Sequence, residues 1–172
     1  DGLDELFQNA LKAGIKFTTE YQKTDNDSES QLDMLRKLTL SQNEYIELVQ
    51  YAQSINIKIF STPFDFESFE FLSRIGQNIW KIPSGEITNI PYLIKLAKTH
   101  KPVILSTGMS TMDEVLYAVD LLKKYGTSEI VLLHCNTEYP SPYQDVNLKA
   151  LNTIREKTGC RVGYSDHTPG IV

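Results

Sequence analysis

"PVILSTGMSTMDEVLYAVDLLKKYG", residues 102–126, holds one complete strand-to-helix unit. An apolar run reaches Leu105 and ends on two hydroxyls, Ser106 and Thr107, and Gly108 opens a loop. Thr111 and Glu114 then stand at capping-box spacing ahead of the helical run "VLYAVDLLKKYG". An apolar strand with a polar tip, followed by a capped helix, is half of a parallel βαβ crossover.

The same rhythm repeats in both directions. Downstream, "EIVLLHCN" (129–136) reads as a strand, "VNLKALNTIREKTG" (146–159) as a helix and "RVGYSDH" (161–167) as a strand. Upstream, "IWKIPS" (79–84) is a strand, and Pro91 sits where the first turn of the helix "YLIKLAK" tolerates it. "IKIFSTP" (57–63) reads as another strand, with Asp65 capping "FESFEFLSRI" and Gly76 stopping it. Ser41 and Glu44 make a second capping box before "EYIELVQYAQ". "LDELFQNALKA" places Leu3, Leu6, Phe7, Ala10 and Leu11 on one helical face, Gly14 stops it, and "IKF" (15–17) is a short strand. "KTDNDSESQ" (23–31) is a polar loop.

Six strands alternating with helices imply parallel βαβ units. A doubly wound open sheet fits the pattern, and so does part of an eight-stranded βα barrel. The strand ends favour the barrel. Polar groups close each strand: Lys16, Thr62, Ser84 with Glu86, Ser106, His134 with Asn136, and Ser165 with His167. A barrel gathers all its carboxyl strand ends on one face, whereas an open sheet shares a ligand only near its switch point. No GxGxxG or P-loop pattern follows any strand. A full barrel takes roughly 250 residues, so these 172 residues are expected to hold about strands two to seven of an incomplete TIM barrel, one catalytic domain over 1–172.

Composition narrows the partners. The chain is 41% hydrophobic and 23% charged, with a net charge of −5, which argues against a nucleic acid or an anionic membrane as partner. A small anion is still compatible, because a few lysines in one pocket suffice. No apolar run approaches a membrane span, and no signal-peptide pattern opens the chain. Cys135 and Cys160 are too few for a disulfide scaffold and read as reduced thiols of a cytoplasmic protein.

The strand tips carry the chemistry. In "KIPSGE" (81–86), Lys81, the Ser84 hydroxyl and a Gly85 free to take positive φ are the groups a phosphate needs. Lys81 alone also suits a surface lysine beside a polar turn. Ser106 with Thr107, Thr62, and the second cation Lys16 extend the anion reading around one mouth. In "VGYSDHTPG" (162–170), Ser165 and His167 point one way and Asp166 the other. A hydrolytic relay needs both partners on one imidazole, so these three neighbours do not form one. His167 stands at a strand tip and suits metal or acid-base work, His134 suits a satisfied core position, and His100 suits a solvent-facing helix end. No HxH, HExxH or CxxC pattern adds a second ligand.

"FSTPFD", "KIPSGEITN", "VILSTGM", "LLHCNTEYPSPYQDVNL" and "GYSDHTPG" together resemble the sialic acid synthase family, N-acetylneuraminate synthase and its bacterial relatives, over the whole chain. The resemblance implies a (β/α)8 barrel, and cytoplasmic condensation of phosphoenolpyruvate with N-acetylmannosamine, with release of phosphate and use of Mn²⁺ or Mg²⁺. It implies phosphoenolpyruvate on Lys16 and Lys81, hydroxyl contacts from Thr62, Ser84, Ser106 and Ser165, and sugar contacts from Glu86 and Tyr139. It also implies one metal ligand at His167. Catalytic roles then fall to Lys81, Glu86 and His167. A C-terminal antifreeze-like domain, a homodimer of the full-length protein and a product used in surface polysaccharide belong to the same expectation.

Two departures stand out. Thr18 occupies the place of the family's glutamine after the first lysine, where a longer loop is expected. The family's asparagine ahead of the tyrosine is offset, with Asn136 one place early and Thr137 in register. Three other readings remain open: a legionaminate or pseudaminate synthase using another acetamido sugar, an aldolase with a Schiff-base lysine, and a non-catalytic sugar-phosphate binding protein.

Overall fold

The computed structural model describes residues 39–170. The expected helix at 3–13 and strand at 15–17 lie outside them, as do Lys16 and Thr18. The chain divides into two compact units, Asp1–Ile59 and Phe60–Val172. In the first, α1 (Gln42–Ser54) is opened by a complete capping box: Ser41 accepts from the Glu44 amide while the Glu44 carboxylate accepts from the Ser41 amide.

The second unit is a four-stranded parallel sheet in the order β1 (Trp80–Ile82), β2 (Val103–Ser106), β3 (Ile130–Cys135), β4 (Arg161–Ser165). Helix α2 (Phe66–Arg74) precedes it. Helices α3 (Ile90–Ala97), α4 (Met112–Lys124) and α5 (Ala150–Thr158) link successive strands. Asp65 caps α2, Asn89 caps α3 and the Thr111–Glu114 box caps α4, so each start satisfies orphan amides with a side chain.

Register fixes what each face of the sheet carries. Lys81 pairs with Ile104, Ser106 with Leu133, and Cys135 with Ser165. By alternation, Lys81, Ser106, Cys135 and Ser165 share one face, and Trp80, Ile82, Val103, Leu105, Ile130 and Leu132 share the other. The second set is buried throughout, and full burial of each side chain stabilises the fold by about 1.5–3 kcal/mol. Trp80 meets Phe69 of α2 at 4.9 Å between ring centroids and donates its indole N–H to Thr99. His134, on the same face, meets the Val146 carbonyl ahead of α5. The helices therefore cover this face. Strands laid down in chain order by right-handed crossovers keep every helix on one side, which is barrel-type winding and not a doubly wound sheet.

Two sequence expectations are corrected. Residues 57–63 form no strand. Around Ser61 a side chain replaces the ladder: Gln77 Oε1 accepts from the Ser61 amide, and its Nε2 donates to the carbonyls of Ser61 and Ile79. The helix expected from 146 begins at Ala150. Ahead of it, Tyr143–Asp145 is a 3₁₀ turn and Asn147 has φ 44°, while side chains near the β3 tip engage the carbonyls of Asp145 and Val146. No helix among the described residues is long and apolar enough to cross a membrane.

Gln77 is 8% exposed and makes three hydrogen bonds. Gln77→Ala orphans buried backbone groups and is expected to lower stability by about 2–4 kcal/mol in urea denaturation. A loss below about 0.5 kcal/mol, the scale of an ordinary surface change, would contradict the ladder-replacement role.

Candidate active site

The face left clear of helices carries the polar groups. Lys81 sits on β1, and Ser106 ends β2 two residues beyond the register partner of Lys81. The lysine reaches up the sheet and donates to Ser106 Oγ at 2.7 Å and to the Ile82 carbonyl at 3.2 Å. Burial pushes its amine below the usual lysine range, and the neighbouring Cys135 opposes that shift. The two ion pairs among the described residues, Lys95–Glu70 and Arg161–Glu129, leave Lys81 without a carboxylate. A partly buried cation held by neutral oxygens favours an incoming anion.

Two strands away, Ser165 Oγ and His167 Nε2 lie 3.4 Å apart. Asp166 turns elsewhere and accepts from the Thr168 amide and hydroxyl. The His167 ring stands 4.3 Å from that of Tyr139. The Ser141 amide donates to the His167 carbonyl at 2.8 Å, and the Tyr143 hydroxyl donates to the Pro169 carbonyl. These contacts lock the loop after β3 onto the segment after β4, which brings Tyr139, Ser165 and His167 together.

Ser84 and Glu86 lie in a 3₁₀ turn directly after β1. Glu86 accepts from the Asn89 side chain at 2.6 Å, and Asn89 also caps α3. The helix start thus fixes the carboxylate. Gly85 does not use the positive φ open to it, and a Cβ there would meet nothing within 4 Å, so the turn does not depend on glycine. Thr62 precedes Pro63, whose carbonyl accepts from the buried Tyr92 hydroxyl. Desolvation first, then the charges of Glu86 and Asp65, raise the Tyr92 pKa far above the tyrosine range and keep it a donor.

At the β3 tip the parity separates neighbours. Asn136 donates to the Asp145 carbonyl at 2.8 Å, and its Oδ1 is buried without a partner among the described residues. His134 bonds the Val146 carbonyl at 2.9 Å and packs against Tyr164. Both face the helix layer. Cys135 and Thr137 approach Gly108 of the β2 loop instead. Cys135 and Gly108 were not singled out from the sequence as site residues. The signal that finds them is strand register, which no single-strand pattern contains.

Among the described residues no cluster of three or more His, Cys, Asp or Glu side chains forms a metal shell. His167 offers one imidazole to such a shell and does not make it alone. A cavity of about 430 Å³ opens beside the tips of β2 and β3, lined by Thr107, Ser110, His134, Cys135, Lys149 and Thr153 among others. Of the polar strand-end residues read from the sequence, Thr107 and His134 line it, while Lys81, Ser84, Glu86, Ser106, Tyr139, Ser165 and His167 do not.

Burial depresses the His167 pKa; Asp166 opposes this and the Lys81 charge adds to it. Above the unfolded value of about 6.5 the ring is neutral in both states; as pH falls below it, the unfolded chain protonates first and stability declines until the lower native value is passed. An NMR titration of the ring is expected to give a midpoint below about 6.5, and Lys81→Met is expected to raise it. An unchanged midpoint in the variant would place Lys81 too far away to act.

The NeuB family model matches residues 4–172. An N,N'-diacetyllegionaminic acid synthase of Campylobacter jejuni is 47% identical over 95% of this chain and 50% of its own length. The enzyme of that name from Legionella pneumophila is 48% identical over 89% of this chain and 44% of its own. The solved N-acetylneuraminic acid (sialic acid) synthetase of Leptospira borgpetersenii, in complex with citrate, superposes with a TM-score of 0.78 at 35% identity, covering 89% of this chain and 53% of that one. The chain spans about half the length of the curated relatives it matches. With that match over nearly all its residues, and with lysine, hydroxyls and histidine aligned at the ends of a barrel-type sheet, the chain belongs to the NeuB family.

Proposed function

We propose that this chain carries part of the active site of a sialic-acid-type synthase, which condenses phosphoenolpyruvate with an acetamido sugar and releases phosphate. One observation carries the reading: Lys81 bonded to Ser106 with no carboxylate on it among the described residues, on the same face as Ser165 with His167 beyond it. The sugar is N-acetylmannosamine, giving N-acetylneuraminate. The names of the two relatives above favour a second reading, in which a diacetylated amino sugar gives a legionaminate.

The chemistry assigns work to each group. The nucleophilic enol carbon of phosphoenolpyruvate attacks the aldehyde of the open-chain sugar. Water adds at the former enol C2, and phosphate leaves with cleavage of its C–O bond. Lys81 neutralises substrate charge, a role the family resemblance gives also to Lys16, which lies outside the described residues. Ser106, Ser165, Ser84 and Thr62 supply fixed donors to its oxygens, which stabilise charge without reorganising. Glu86, held by Asn89, orients a sugar hydroxyl or takes a proton, and Tyr139 borders the sugar. The register-aligned Thr137 faces this side, while Asn136 contributes by holding the loop at Asp145. Mn²⁺ or Mg²⁺ would act as a Lewis acid, with His167 as one ligand and the others from beyond the described residues. A cytoplasmic homodimer of the full-length protein completes the proposal.

Phosphate release from phosphoenolpyruvate by the full-length protein tests this. Release is expected to require both an acetamido sugar and a divalent cation, to stop with EDTA, and to fall about 10²-fold or more in Lys81→Met. Inactivation by borohydride with substrate would instead establish a Schiff-base aldolase. Binding of phosphoenolpyruvate without turnover on either sugar would establish a binding protein.

A further inference from the structure

Gly108 differs from the other glycines at the strand tips. Its φ is not positive, so its backbone is open to any residue. Space is what excludes a side chain. A Cβ there would lie 2.9 Å from Cys135 Sγ, 2.9 Å from Thr137 Cγ2 and 3.2 Å from the Cys135 carbonyl. Carbon and sulfur atoms in contact stand about 3.5–4.0 Å apart, so a methyl group needs roughly 0.6–1 Å of movement at two points.

Little at this place can yield. The Cys135 and Thr137 atoms are one bond beyond Cβ on short side chains, and Thr is stiff at χ1. Just before Gly108, the Thr107 amide and hydroxyl both donate to the Leu133 carbonyl, at 3.0 and 3.2 Å. Two residues before it, Ser106 holds Lys81. A side chain on Gly108 would meet Cys135, which shares a sheet face with Ser106 and Ser165.

We propose that Gly108 is a positioning residue of the anion site: its missing side chain lets the β2 and β3 tips close together, and this approach sets where Ser106 holds Lys81 relative to the groups beyond β3. The proposal rests on the anion-binding reading above and deepens it. A displacement of the order of 1 Å in a substrate-positioning group is enough for about a 10²-fold loss.

A double-mutant cycle in the full-length protein tests it. Gly108→Ala is introduced into the wild type and into a Cys135→Ala/Thr137→Ser background, which removes both clashing atoms. Phosphoenolpyruvate affinity is read by calorimetry, and kcat and KM by phosphate release. In the wild type, Gly108→Ala is expected to weaken phosphoenolpyruvate binding at least tenfold, mostly in KM. In the trimmed background it is expected to cost less than about threefold of that background's own value. Equal costs in the two backgrounds, or no cost in the wild type, would overturn the proposal. If Gly108→Ala prevents folding of the wild type, the trimmed background decides: a folded, binding triple variant supports the spacer role, and an unfolded or non-binding one overturns it. A wild type that binds phosphoenolpyruvate without turnover defeats only the synthase reading, and the cycle is then judged on affinity. A wild type that binds none leaves nothing to position and defeats both.

Discussion

The structure depends on parallel register. Because side chains alternate along each strand, the pairing of Lys81 with Ile104 and of Cys135 with Ser165 puts Trp80, Ile82, Val103, Leu105, Ile130 and Leu132 against the helices and Lys81, Ser106, Cys135 and Ser165 on the opposite face. A slip by one residue would bury Lys81 against Phe69 and expose Trp80, at a cost far larger than any single polar contact returns. The hydrophobic core and the candidate site are thus two consequences of one pairing. The core stabilises the register, and the register aligns the site.

Much of this was legible in the sequence, and the reasons are local. The capping boxes at Ser41 and Thr111 satisfy their own helix ends, so a four-residue pattern was enough to find them. The strands at 80–82, 103–106 and 130–135 announce themselves by apolar residues that become buried. What the sequence hid is non-local. "IKIFSTP" has strand composition, but Gln77, sixteen residues past Ser61, takes the ladder's hydrogen bonds. Gly85 and Gly108 look alike in a strand-tip motif, yet one borders open space and the other a neighbouring strand. His134 reads as a satisfied core residue and is one, whereas Cys135, which reads only as a structural thiol, shares its face with Ser165. Separating these needs the partner strand.

The electrostatics follow from the same geometry. The chain is acidic overall, with a net charge of −5, yet the described site concentrates one lysine, several hydroxyls and a histidine whose proton is disfavoured by burial. Such a surface discriminates by local charge, not net charge, and a small anion gains the interaction while a polyanion meets general repulsion. Glu86 stands apart, fixed by the Asn89 cap, so the single carboxylate assigned to the site does not neutralise Lys81.

The central claim is that a phosphorylated anion binds at the carboxyl strand ends on the face carrying Lys81. An NMR titration of the labelled full-length protein with phosphoenolpyruvate tests it most directly. The account predicts shifts at Lys81, Ser84, Ser106, Gly108, Ser165 and His167, with Trp80, Val103 and Ile130 at the far strand ends unmoved. Shifts confined to Ser110, Lys149 and Thr153 would place the anion in the neighbouring cavity and contradict it, as would no shift at saturating ligand.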